Sequence, residues 1–128
     1  MRRFVKARKP HQRGKMNKAE AAYRLWLDSQ KARGAILDYL PFESITLVLG
    51  PDVRWTPDFP VIALDGTMEM HDVKGASSKK DKEGNKIGTK PYVEETANVK
   101  IRVAAERFPF KFIQVWLDKD VGWMGREF

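Results

Sequence analysis

Apolar positions recur with a helical period over residues 18–33, where Ala19, Ala22, Tyr23, Trp26 and Gln30 share one stripe. Asn17 stands where an N-cap belongs, Glu20 at the reciprocal N3 position of a capping box, and Gly34 offers a C-terminal stop. The period then shortens. Residues 35–40 predict a short strand before Pro41, and residues 44–49 a better one with Ile45, Leu47 and Leu49 on one face. Gly50-Pro51-Asp52 turns the chain into Val53-Arg54-Trp55. Next comes an apolar run, Val61-Ile62-Ala63-Leu64, then Asp65-Gly66, then a run from Thr67 to Val73. Asp-Gly between two such runs predicts a β-hairpin closed by a tight primed turn, with positive φ at its centre.

The character changes after Lys74. Residues 75–89, GASSKKDKEGNKIGT, are polar, glycine-containing and lysine-rich, and predict a mobile loop. Ala97, Ile101, Ala104, Ala105 and Phe108 predict a second helix over residues 94–108, ended by Pro109. Residues 110–117, FKFIQVWL, predict a last apolar strand, while the tail 118–128 holds Trp123 and Phe128 without a clear period. The order is helix, three or four strands, helix, strand. A strand–helix–strand crossover near the end implies a parallel pair inside a mixed central β-sheet flanked by helices, an α/β fold. Residues 1–15 lack apolar periodicity and predict a flexible basic arm ahead of a single domain over 16–128.

Composition narrows the chemistry. With no cysteine, thiolate metal sites and Cys nucleophiles are excluded, and His11 and His71 alone make a His-rich zinc site a poor fit. No apolar run approaches the roughly 18 residues that cross a bilayer, and the basic start lacks a signal-peptide core, so a cytoplasmic protein is expected. The net charge of +7 equals that of the arm alone, which carries Arg2, Arg3, Lys6, Arg8, Lys9, Arg13 and Lys15 without an acid. A second basic segment, 74–90, includes Lys79, Lys80, Lys82 and Lys86. Two basic segments on a slightly acidic body predict a polyanion partner, nucleic acid, because phosphate contacts release condensed counterions. The competing reading is a solubilising tail and a solvated loop.

The hairpin carries the chemistry. Asp72 and Lys74 project from one strand face, and folding back at Asp65-Gly66 brings Asp58 level with them. Two carboxylates and the backbone carbonyl of Val73 suit Mg²⁺ or Mn²⁺, hard ions that need few protein ligands beside a substrate phosphate. Lys74 adds a point charge for a phosphoryl transition state. Phosphodiester hydrolysis asks for this set. His71 falls on the opposite face and reads as structural, and Met68 and Met70 as core. Trp26, Trp55 and Trp116 also read as core, with base stacking by Trp55 the rival. Glu20 reads from its spacing as a helix cap; Lys100 either touches phosphate or is solvated.

TPDF over residues 56–59 and HDVKG over residues 71–75 resemble the signature of the PD-(D/E)XK nuclease superfamily. Together with the Lys15 to Glu20 helix start, ITL and the helix of Lys100 to Pro109, the chain is similar to a small phage-type, Holliday-junction-resolvase-like branch over about residues 12–117. The resemblance implies an αβββαβ restriction-endonuclease-like core and a Mg²⁺- or Mn²⁺-dependent DNA endonuclease acting on branched DNA in phage recombination or replication. By position it makes Asp58 and Asp72 metal ligands, Lys74 the catalytic lysine and Glu20 the helix-borne acid. Asp72 departs from the usual Glu, which shortens its reach. The alternatives are a non-catalytic basic DNA-binding accessory protein and a restriction- or repair-type nuclease. A homodimer, built on the Trp123 and Phe128 tail, would suit symmetric cleavage of a junction.

Overall fold

The computed structural model describes residues 14–92 and 94–128. Arg2, Arg3, Lys6, Arg8, Lys9 and Arg13, and with them the expected flexible arm, lie outside the described residues; Lys15 is exposed just ahead of the first helix. That helix, α1 (Lys18–Ala32), is opened by the full capping box: the Asn17 side chain accepts from the Glu20 N–H at 2.9 Å, and Glu20 Oε1 accepts from the Asn17 N–H at 2.8 Å. Its buried face is Glu20, Tyr23 and Leu27, a stripe at i, i+3 and i+7. Trp26, expected in the core, lies one position off that stripe and is 38% exposed.

After a short strand β1 (Asp38–Tyr39) come β2 (Leu47–Gly50) and β3 (Val53–Trp55), then β4 (Phe59–Ile62) and β5 (Met68–Val73). The chain continues with β6 (Ala76–Lys80), β7 (Lys86–Pro91), α2 (Glu95–Arg107), β8 (Lys111–Asp118) and β9 (Gly122–Glu127). The main sheet has five strands in the order β1-β4-β5-β8-β9, and β5–β8 is its parallel pair. The rest pair antiparallel, which makes the α/β fold a mixed sheet.

Side-chain alternation divides the core in two. Tyr23 and Leu27 of α1 pack with Phe59, Val61, Val73 and Val115 on one face. Ile101 and Ala104 of α2 pack with Met70, Phe112, Leu47, Leu49 and Trp55 on the other. Each large side chain fully buried in this way contributes about 1.5–3 kcal/mol. Met70, Met68, Trp55 and Trp116 thus take the core positions expected of them, with Met68 half-buried.

Four expectations are corrected. The β4–β5 hairpin does not close with a primed two-residue turn: Gly66 N–H donates to the Ala63 carbonyl at 2.9 Å, Ala63 N–H to the Thr67 carbonyl at 2.9 Å, and only Gly66 of the loop has positive φ. This is a three-residue loop with glycine in the left-handed position, and Asp65 Oδ1 caps it by accepting from the Thr67 N–H. Residues 44–55 do not feed the main sheet; β2 and β3 pair with each other and cover α2. Residues 75–89 are not a loop but most of a β6–β7 ribbon, bound to the main sheet where Thr89 donates to Asp118 Oδ2 at 2.7 Å and accepts from Trp116 Nε1 at 3.2 Å. The tail forms edge strand β9, and its rings turn inward: Trp123 meets Tyr23 edge-on at 4.8 Å and Phe128 packs on the α2-side core. Those two rings are therefore not a free surface for a second copy.

Candidate active site

The site forms where β4 begins and β5 ends. The register Phe59↔His71, carried one step further, sets Asp58 opposite Asp72. Asp58 is fixed in place by its Oδ2, which accepts from the Val73 N–H at 2.7 Å. Lys74 extends the β5–β8 ladder by donating its N–H to the Val115 carbonyl at 2.8 Å, and its Nζ lies 3.0 Å from Asp72 Oδ2. Asp58, Asp72 and Lys74 thus meet as the strand pattern predicts.

Glu20 reaches the same place from α1. Its position in the capping box fixes Oε1, and its carboxyl lies within hydrogen-bonding reach of Asp58. Glu20 therefore caps the helix and also joins the carboxylate group. Burial, then the Asp72 carboxylate, then that of Glu20, push Asp58 up to about 10, against the opposing pull of the Val73 N–H.

These groups line a cleft of about 460 Å³ that also includes Glu43, Thr56, Gly75, Tyr92 and Glu94. Lys74 is the only cation among its described lining residues. Glu43 and Glu94 had no signal in the sequence. Glu43 arrives through a turn after Pro41, with φ of 54°, where its N–H donates to the Asp58 carbonyl at 2.9 Å. Lys100 is half-buried on α2 and does not line this cleft.

Clustered carboxylates offset by one ammonium are a donor set for a hard divalent cation. Asp58, Asp72, Glu20 and the Val73 backbone are the groups positioned to hold one. Among the described residues, no group of three or more His, Asp or Glu side chains is already arranged as a metal site.

Behind the site, on the other face of β5, Tyr23 Oη and His71 Nδ1 are 2.5 Å apart, and His71 Nε2 lies 2.8 Å from Glu69 Oε1. Burial and then Glu69 raise Tyr23, while the bond to His71 lowers Glu69. His71 is structural, as its strand parity predicts: it ties α1 to the strand that carries Asp72. A separate cleft beside α1 holds charges already satisfied by one another, Lys31 with Asp38 at 3.0 Å and Tyr39 donating to Asp28.

No protein-family model, curated protein or solved structure matches the chain. Among the described residues no helix is long and apolar enough to cross a membrane.

Proposed function

We propose that the chain is a Mg²⁺- or Mn²⁺-dependent DNA endonuclease of the PD-(D/E)XK kind with a restriction-endonuclease-like core. The observation that carries the reading is the meeting of Asp58, Asp72 and Glu20 with Lys74 at one end of the β4–β5 hairpin. Asp58, Asp72, Glu20 and the Val73 carbonyl would hold the cation. When bound, it would lower the proton affinity of a water and offset charge on phosphoryl oxygens.

The chain's own groups do the rest. A water oxygen forms a bond to phosphorus and gives up a proton to solvent, one ester P–O bond breaks, and the departing oxygen takes up a proton from solvent. Lys74, held by Asp72, is placed to orient that water or to stabilise the charge that develops on the phosphoryl oxygens. The exposed lysines of the β6–β7 ribbon, Lys79, Lys80, Lys82 and Lys86, grip the backbone, together with the arm and Lys15. Branched DNA is the proposed substrate, and a homodimer the proposed form on a junction.

The test is a panel of labelled four-way, flap and linear duplex DNA, with and without Mg²⁺ or Mn²⁺. Metal-dependent nicking, strongest on the four-way form, is expected; Asp58→Ala and Lys74→Ala should abolish it while DNA binding survives. Equal cleavage by both variants and the parent would overturn the assignment. A binding-only accessory role draws on the exposed lysines of the β6–β7 ribbon, which need no chemistry to hold a polyanion. Tight binding with no product on any DNA form would establish that role instead.

A further inference from the structure

A polar row crosses the sheet on its α2 face. Asp58 lies opposite Asp72, Asp72 pairs with Gln114 of β8, and Gln114 pairs with Arg126 of β9. Cross-strand partners share a face, so all four belong to the side that also carries Met70 and Phe112. Gln114 is wholly buried, yet neither amide atom has a hydrogen-bond partner among the described residues. At its far end the row opens into a second cleft, of about 400 Å³, lined by Ser77, Lys90, Tyr92, Asn98 and Arg126. Tyr92 lines both clefts, so the two are neighbours.

The second cleft has the opposite charge character from the first. Its ionisable cations are Lys90 and Arg126, and among the described residues neither is in an ion pair. The Arg126 guanidinium is steadied 4.8 Å above the Phe128 ring, which leaves its N–H fork available. Asn98 adds an amide, whose buried Oδ1 has no hydrogen-bond partner among the described residues. A guanidinium, an ammonium, a hydroxyl and an amide around one small cleft are donors waiting for an anion with several acceptor oxygens.

We propose that the Lys90–Arg126 cleft is a phosphate subsite holding a neighbouring phosphate of the DNA strand whose scissile phosphate lies at Asp58 and Asp72. This rests on the nuclease reading above for the word scissile, though not for the phosphate. The distance is short: β9 lies two strand widths from β5, or roughly 10 Å, so both clefts can fall within a few successive phosphates of one strand. The subsite sets which stretch of strand lies across the acidic cleft, as backbone contacts fix register without reading sequence.

Labelled duplex and four-way DNA titrated against the full chain in metal-free buffer, over a range of salt, tests this. The Lys90→Gln/Arg126→Gln double variant should bind about tenfold more weakly, with a log–log salt slope shallower by about one. Lys111→Gln, which removes a charge at the other end of β8, should bind like the parent. With Mg²⁺ added, KM for DNA should rise in the double variant by a larger factor than kcat falls. The subsite is overturned by a double variant that binds like the parent, or by Lys111→Gln weakening binding as much. Loss of affinity in the double variant, alongside a parent that nicks nothing, would uphold the phosphate site and sink the nuclease reading alone.

Discussion

Glu20 serves two purposes with two oxygens, and substitution can separate them. Oε1 completes the capping box, and the carboxyl also faces Asp58. Glutamine at N3 keeps the cap but removes the charge. Glu20→Gln should therefore leave helix stability within about 0.5 kcal/mol while abolishing metal-dependent cleavage; Glu20→Ala should lose about 1 kcal/mol as well. Denaturant melts beside nicking assays check this, and full activity in Glu20→Gln would confine the residue to capping. Asp58 gives a second prediction. Its folded value of about 10 lies above the 3.8 of an unburied aspartate, so between them the folded chain binds more protons than the unfolded one. Stability from this group is complete below about pH 4 and is lost as pH climbs toward 10. In metal-free buffer Asp58→Asn should thus exceed the parent by about 1 kcal/mol or more at pH 8, with the gap closing toward pH 4. Parallel stability curves over that range would contradict it. At this scale the Asp58, Asp72 and Lys74 meeting was legible, because strand parity and a hairpin suffice to place them. Gln114, Lys90 and Arg126 were not, since their placement depends on how β8, β9 and the ribbon pair, which no local pattern encodes.

Two hairpin loops use one five-residue design. Ala63-Leu64-Asp65-Gly66-Thr67 and Asp81-Lys82-Glu83-Gly84-Asn85 each close with a glycine at φ 84°, its N–H donating to the first residue's carbonyl. A Cβ on either glycine would meet nothing within 4 Å, so alanine there costs only the left-handed backbone, about 1–2 kcal/mol. The elements around them differ. Gly66 joins two strands at the heart of the main sheet, so Gly66→Ala should lower global stability by that amount. Gly84 ends a ribbon of its own sheet, so Gly84→Ala should speed amide exchange in β6 and β7 and leave the melt nearly unchanged. Equal loss of global stability from both would show that the ribbon unfolds only with the domain. Sequence named the first hairpin through Asp-Gly but missed the turn type, because a single left-handed glycine looks the same in both. It missed the second hairpin because Ser, Lys and Gly carry little strand preference; the Thr89 bonds to Asp118 and Trp116 supply what propensity lacks. The helices were read within a residue or two, yet Trp26 was put inside because the true stripe runs through Leu27.

Across the whole molecule, charge is sorted by place. The cleft lined by Glu20, Glu43, Asp58, Asp72 and Glu94 sits at the foot of a ribbon that presents Lys79, Lys80, Lys82 and Lys86 to solvent. On the proposed reading, a polyanion drawn in by the ribbon would meet carboxylates at the ribbon's foot. For an ordinary basic binding protein, added Mg²⁺ competes as a counterion and weakens the hold on DNA. Here a cation in the cleft would turn repulsion into attraction at the phosphate between the Asp58 carboxylate and Lys74. At constant ionic strength, millimolar Mg²⁺ should therefore tighten DNA binding several-fold in Lys74→Ala, which keeps the acids but is expected not to cut. The same addition should weaken binding in Lys74→Ala/Asp58→Asn/Asp72→Asn, where the cation has lost both aspartate ligands while the ribbon is intact. Fluorescence anisotropy on one labelled duplex reads both. If Mg²⁺ loosens the two proteins alike, the acids do not gather a cation under DNA, and the basic groups account for the binding without one.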